Sequence, residues 1–242
     1  MARQARLISP GHAHLVQLQA VAGAQPLASA LQRDRFLLWM REGLDASAVR
    51  LHAYAVLPQA VWLLLTPDSA PELSAFVQGL ARRTSRAQER AGADAAALPS
   101  SARAPVWAGR FRSAVVQPGE WELAAMVWID RAAEHTAGIA AVAAWRWSSR
   151  AAHCGETLAG ASAPVMSLPT AYWSLGNTPF EREAAYRQRL QQGHSAACEA
   201  ALESALRRGT AVGDAAFLQQ LEASSGRRVL PARRGRPRMK VA

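Results

Sequence analysis

The sequence predicts an α+β fold: one sheet of β-α-β-β-α-β order backed by helices, then a C-terminal helical extension and a basic tail. Three observations predict it. Short segments alternate apolar and polar residues, the stretches between them carry apolar residues at helical spacing, and beyond Gly155 helical segments alone remain.

His12 to Val21 alternates around Leu15, Val16 and Leu18 and reads as the first strand. Leu31, Phe36, Leu37, Met40 and Leu44 mark a helix over 31–44. Val49 to Val56 reads as a strand with Leu51, Ala53 and Ala55 on one face and Arg50, His52 and Tyr54 on the other. Pro58-Gln59 makes a tight reversal, and the near-continuous apolar run Val61 to Leu65 is that of a buried central strand. Leu73, Phe76, Val77 and Leu80 form the stripe of a second helix opening near Pro71-Glu72, with Arg82, Arg83, Arg86 and Arg90 along its later turns. After a small-residue loop over 92–105, Phe111 to Gln117 reads as the fourth strand. Pro118-Gly119-Glu120 opens a helix bearing Trp121, Ala124, Ala125 and Trp128 on one side. That order is the ferredoxin-like arrangement, a sheet backed by two helices on one face. Further helices are expected near Phe180–Gln192, Ala196–Arg208 and Asp214–Ser225.

At 242 residues the chain can bury a sizeable core. Half of it is apolar and 19% is charged, as in ordinary globular proteins. The formal net charge of +10 and a pI near 11.1 favour a polyanionic partner, nucleic acid first. Much of that charge lies beyond Gly226, in Arg227, Arg228, Arg233, Arg234, Arg236, Arg238 and Lys240, with no acid among them. Cys154 and Cys198 are isolated, which argues for a reducing compartment and against a zinc site or disulfide framework. The opening MARQARLISPG lacks the apolar run of a signal peptide and no stretch approaches a membrane span, so a cytoplasmic location without membrane partners is expected.

Several blocks carry a family resemblance. They include Met1-Ala2-Arg3 with Arg6-Leu7 and Pro10-Gly11, then Asp34-Arg35-Phe36-Leu37, His52 to Pro67, and Trp107-x-Gly109-Arg110-Phe111-Arg112. Trp147-Ser148-Ser149 with His153 and Gly155, Tyr172-x-x-Leu175-Gly176, Arg182-x-x-Ala185-Tyr186-Arg187 and the end Gly226-Arg227-Arg228-Val229 … Arg234-Gly235-Arg236-Pro237-Arg238 continue in the same order. Together they resemble the REP-associated tyrosine transposases of the HUH superfamily. The resemblance implies a transposase-like domain over 1–154, a linker over 155–178, a helical region over 179–225 and a basic tail over 226–242.

It also implies a chemistry whose residues are replaced here. The family's hairpin reads Pro-Asn-His-x-His, and its two histidines hold a divalent metal that polarises the scissile phosphate. Gln59, Ala60, Val61 and Trp62 stand at the matching positions, so Ala60 and Trp62 replace the histidines. Alanine has no donor atom, and an indole N–H does not ligate metals. The family's nucleophilic tyrosine falls on Trp128, its following Asn-Pro on Ala132-Ala133, and its strand-one polar groups on His14-Leu15-Val16 and Gln19-Ala20-Val21. No catalytic residue, metal or cofactor is therefore expected. Tyr54, Tyr172 and Tyr186 are the remaining phenols; Tyr54 with His52 read as ordinary sheet residues, and the pair His12 and His14 as a polar strand edge.

The expected function is recognition of hairpin or single-stranded palindromic DNA without cleavage, by a monomer or homodimer. The candidate DNA contacts are Arg82, Arg83, Arg86, Arg110, Arg112, Arg227, Arg228, Arg233, Arg234, Arg236, Arg238 and Lys240. Arg234-Gly235-Arg236-Pro237-Arg238 looks like an AT-hook core, with plain phosphate attraction as its simpler reading. Two alternatives stay open: an active transposase or nickase that uses substituted residues with Mg²⁺ or Mn²⁺, and a remnant that binds nucleic acid without selectivity.

Overall fold

A computed structural model describes residues 6–91, 105–136, 139, 145–157 and 163–229. Its sheet has the strand order β2-β3-β1-β4-β5. The strands are β1 (Ala13–Gln19), β2 (Arg50–Val56), β3 (Ala60–Thr66), β4 (Arg112–Val116) and β5 (Ala211–Val212). The first four pair antiparallel in the predicted ferredoxin-like order, and the two-residue β5 adds parallel to β4 at the edge.

The helices α1 (Ala30–Asp45) and α2 (Ala70–Ala91) follow β1 and β3. Helix α1 starts where Ser29 accepts from the Gln32 amide while the Gln32 side chain accepts from Ser29 N–H, which satisfies two of the donors left over at a helix start. Phe36, Leu37 and Met40 from α1 and Leu73, Phe76, Val77 and Leu80 from α2 bury one sheet face with Val16, Leu18, Val61, Leu63 and Leu65. Here the expected stripe and the observed core agree.

The other face is covered as well. Helices α3 (Glu120–Asp130), α6 (Pro179–Gln192) and α7 (Ala196–Arg208) pack Met126, Tyr186, Leu190 and Leu202 against Ala13, Leu15, Ala53, Leu64 and Ala114. The short helices α4 (Arg150–His153) and α5 (Thr170–Trp173) lie between α3 and α6. Strand β3 is thus buried on both sides, which is why its sequence is apolar without alternation. Helix α8 (Ala215–Ser225) ends the described chain, and Val229 tucks beside Leu7, Val115, Ala211 and Leu221. Among the described residues no helix is long and apolar enough to cross a membrane.

One strand departs from simple alternation. The β2–β3 register passes from Leu51↔Leu65 to Ala53↔Leu64, so His52 is an extra residue opposite the same short stretch of β3. Leu51 consequently lies in the α1/α2 core with Tyr54, not with Ala53 and Ala55 as strict alternation placed it. The bulge turns the His52 ring toward Thr66, whose Oγ1 lies 2.7 Å from Nε2, while Nδ1 donates to the Ser167 carbonyl.

Candidate nucleic-acid interface

The sheet register assembles the site. Ala55, Trp62, Gln17 and Arg112 are successive cross-strand partners on β2, β3, β1 and β4, so they form one row on one face. Gln19 and Ala60 are the next pair along β1 and β3. Helix α3 passes over this face and directs Trp128 onto Trp62. The two indoles meet edge to face, with centroids 4.7 Å apart and planes at 68°. They are half-buried, and they occupy the positions where the family resemblance places a metal-binding histidine and the nucleophilic tyrosine.

Beside the pair lies a cleft of about 370 Å³ lined by Gln19, Leu57, Gln59, Ala60, Trp62, Trp128, Ala132, His135, Thr136, Glu199 and Glu203. Its floor is aromatic and aliphatic. One wall carries amides in series: Gln17 Nε2 donates to Gln19 Oε1 at 3.1 Å, and Gln19 Nε2 donates to the Gln59 carbonyl at 3.2 Å. Glu199 and Glu203, one turn apart on α7, line the cleft as well. No tyrosine, cysteine, arginine or lysine occurs among these lining residues. No cluster of three or more His, Cys, Asp or Glu that could hold a metal exists among the described residues. This arrangement can stack a planar apolar group and hydrogen-bond its edge; among the described lining residues His135 is the one side chain that could carry a positive charge.

The predicted arginines separate into groups. Arg112 is exposed and sits on the cleft face, with Arg110 exposed two residues earlier and Phe111 turned to the opposite core, as alternation requires. Arg82, Arg83 and Arg86 are exposed on α2, which packs on the other face of the sheet. Arg83 there pairs with Glu42 at 2.6 Å, and Arg82 Nε donates to the Gln78 carbonyl. The structure therefore does not bring that strip to the cleft. Arg227 and Arg228 follow α8, with Arg228 exposed, whereas Arg233, Arg234, Arg236, Arg238 and Lys240 lie outside the described residues.

Two of the remaining phenols, Tyr172 and Tyr186, sit inside a buried polar network that motif reading missed, while Tyr54 joins it through its backbone and packs its ring in the α1/α2 core. Asp130, at the end of α3, accepts from Ser149 Oγ at 2.5 Å, from Tyr186 Oη at 2.7 Å and from His153 Nδ1 at 2.6 Å. His153 Nε2 donates to the His52 carbonyl, Tyr172 Oη donates to the His153 carbonyl, and Ser149 Oγ accepts from Tyr54 N–H. Asp130, Ser149 and His153 are fully buried. Serine, histidine and aspartate meet here, yet Ser149 bonds the carboxylate and not the imidazole, so no nucleophile–base pair exists. The network ties α3, α4 and α6 to the bulged strand. Burial, reinforced by the Asp130 charge, raises the Tyr54 and Tyr186 hydroxyls well above their ordinary range, and burial pushes Tyr172 up to about 12.

The histidines of strand one are also engaged. His14 is fully buried, donates from Nδ1 to the His12 carbonyl at 2.8 Å and accepts from Ser9 N–H at 3.1 Å. Burial lowers its pKa to about 4. With both ring nitrogens bonded to the β1 approach, it is a buried structural residue of a strand paired on both sides, not part of the expected polar strand edge. His12 contacts Ser9 Oγ and the Phe217 ring. The tryptophans behave as packing residues: Trp121 and Trp128 lie against the α3 core, and Trp145 and Trp147 meet at 4.8 Å beneath the Arg33 guanidinium.

No protein-family model matches the sequence, and no curated protein matches it. Among solved structures it is similar to a REP-associated tyrosine transposase determined bound to a REP hairpin, at 13% identity and a TM-score of 0.50. The match covers 69% of this chain and 100% of that one. What this chain shares with that transposase, as a distant structural relationship, is its fold.

Proposed function

We propose that this chain is a transposase-like DNA-binding protein, a degenerate relative of the REP-associated tyrosine transposases, that recognises hairpin or single-stranded DNA without cutting it. The observation that carries the reading is the Trp62–Trp128 contact: two packing aromatics meet where the family chemistry needs a metal ligand and a nucleophile. The fold of a transposase solved with a hairpin and the +10 net charge support a nucleic-acid partner. The buried phenols of Tyr54, Tyr172 and Tyr186 weigh against a substitute nucleophile, and no divalent ion is required.

In this reading Arg110 and Arg112 contact phosphates nearest the cleft, and Arg227, Arg228, Arg233, Arg234, Arg236, Arg238 and Lys240 add the tail's electrostatic contribution. Arg82, Arg83 and Arg86, across the sheet, meet only DNA that extends around the fold. The domain, with its helical region and tail, works as one DNA-binding unit. Affinity for a palindromic hairpin against a scrambled strand of equal length, measured across salt concentrations, tests this. Preference for the hairpin that survives deletion of residues 230–242 supports selective recognition. Equal affinities that vanish with the tail support a non-selective remnant instead.

A further inference from the structure

The cleft and its surroundings separate two kinds of chemistry. Inside are the crossed indoles of Trp62 and Trp128, the Gln19 amide and the carboxylates of Glu199 and Glu203. Outside, one strand beyond Gln17 on the same face, is the exposed guanidinium of Arg112. A phosphate drawn into the cleft would face two carboxylates with no arginine or lysine, and His135 alone as an ionisable base, among the described lining residues. A planar group would meet an aromatic floor, and an N–H donor on its edge would meet acceptors.

A nucleotide has this same polarity, with a flat base at one end and an anion at the other. A terminal amide has two hydrogens and two lone pairs, so Gln19 retains bonding capacity beyond its links to Gln17 and Gln59. Carboxylates accept from exocyclic amino groups, and base edges are told apart by such donors. Thymine has no exocyclic amino group; cytosine, adenine and guanine do. A cleft of about 370 Å³ lies in the range of pockets that enclose small planar ligands.

We infer that the cleft receives one unpaired, amino-bearing nucleobase, cytosine, adenine or guanine, from the loop or single-stranded flank of the bound DNA. The base stacks on one indole of the Trp62–Trp128 pair and abuts the other, presents its amino group to Glu199 and Glu203, and leaves its phosphate outside toward Arg112. The inference rests on the DNA-binding reading and names what its central cleft takes. Where the metal chemistry of the family would grip a phosphate, this cleft admits a base and turns the phosphate away.

The test uses the full chain and hairpins with an identical stem whose loops are all-cytosine, all-adenine, all-thymine or abasic, at one salt concentration. Cytosine and adenine loops should bind about tenfold tighter than thymine or abasic loops, and should quench tryptophan fluorescence more. The double variant Glu199→Met/Glu203→Met, at a half-buried and an exposed position of α7, should erase that discrimination while binding to the thymine loop persists. Trp62→Ala should lose the quenching and most of the preference; should it fail to fold, the glutamate variant still decides. Equal affinity for all four loops, with hairpin binding intact, would overturn the base-pocket inference and leave the DNA-binding reading standing. Failure to bind any of the four would remove both.

Discussion

Trp62 of β3 and Trp128 of α3 meet edge to face at 4.7 Å, closing the space between the sheet and its second helical layer. The pair is a packing contact at positions where the family resemblance expects chemistry. It also sets the floor of the cleft, so the contact links stability to binding.

That link can be measured. Edge-to-face aromatic pairs contribute about 0.5–1.5 kcal/mol beyond the area they bury. A Trp62→Ala/Trp128→Ala double-mutant cycle in urea unfolding should show a coupling of about 1 kcal/mol, each single change costing about 2–3 kcal/mol because the rings are half-buried. Additive losses would mean that the two rings are independent.

Asp130 should matter more to the fold than any residue of the cleft. It accepts from Ser149, His153 and Tyr186 in a fully buried setting, and removing one member of such a group leaves buried donors unpaired. Asp130→Ala should destabilise by about 3–5 kcal/mol, and Tyr186→Phe by about 1–2 kcal/mol. Where Tyr186→Phe remains folded, hairpin affinity should be unchanged, which equilibrium unfolding and a binding titration would establish together.

Stability should fall on mild acidification. Burial lowers His14 and His52 to about 4, so the folded chain holds both rings neutral where the unfolded chain, near 6.5, already binds protons. The unfolded state therefore binds more protons between these values. The stabilisation is complete above about 6.5 and lost as pH falls toward 4, on the order of 2–3 kcal/mol per histidine. Urea midpoints at pH 7.5, 5.5 and 4.5 should decline in order, and His14→Gln should flatten the decline; a level profile would contradict the assignment.

Arginine position should decide affinity. Arg112 shares the cleft face and Arg83 lies across the sheet, paired with Glu42. Arg112→Ala should weaken hairpin binding and reduce the salt slope by about 1, whereas Arg83→Ala should change little. Deleting 230–242 removes Arg233, Arg234, Arg236, Arg238 and Lys240 and should reduce the slope by about 4.

How much of this was legible beforehand follows from the range of each signal. Strand β3 announces itself as an unbroken apolar run because both its faces are buried, and helices α1, α2 and α3 by periodicity, because each buries a continuous face against the sheet. The two-residue β5 is too short to carry a period and forms only because α7 returns the chain beside β4. The His52 bulge inverts the face of Leu51, and no local residue pattern marks it, since the extra residue is accommodated by Thr66 and Ser167 far away in sequence. The cleft was half legible. Ala60, Trp62 and Trp128 were found through motif positions, whereas Glu199 and Glu203 come from a helix that sequence alone could not fold over the sheet. Asp130 and His153 stand 23 residues apart, and their partnership is set by packing rather than spacing.

The central claim is binding without cleavage, and one reaction tests it most directly. The full chain is incubated with an end-labelled palindromic hairpin and Mn²⁺, then resolved under denaturing conditions alongside a native retention assay. The hairpin should be retained by the protein, uncut, with no label attached to protein after denaturation. A nicked strand carrying a covalent protein–DNA adduct would contradict the account.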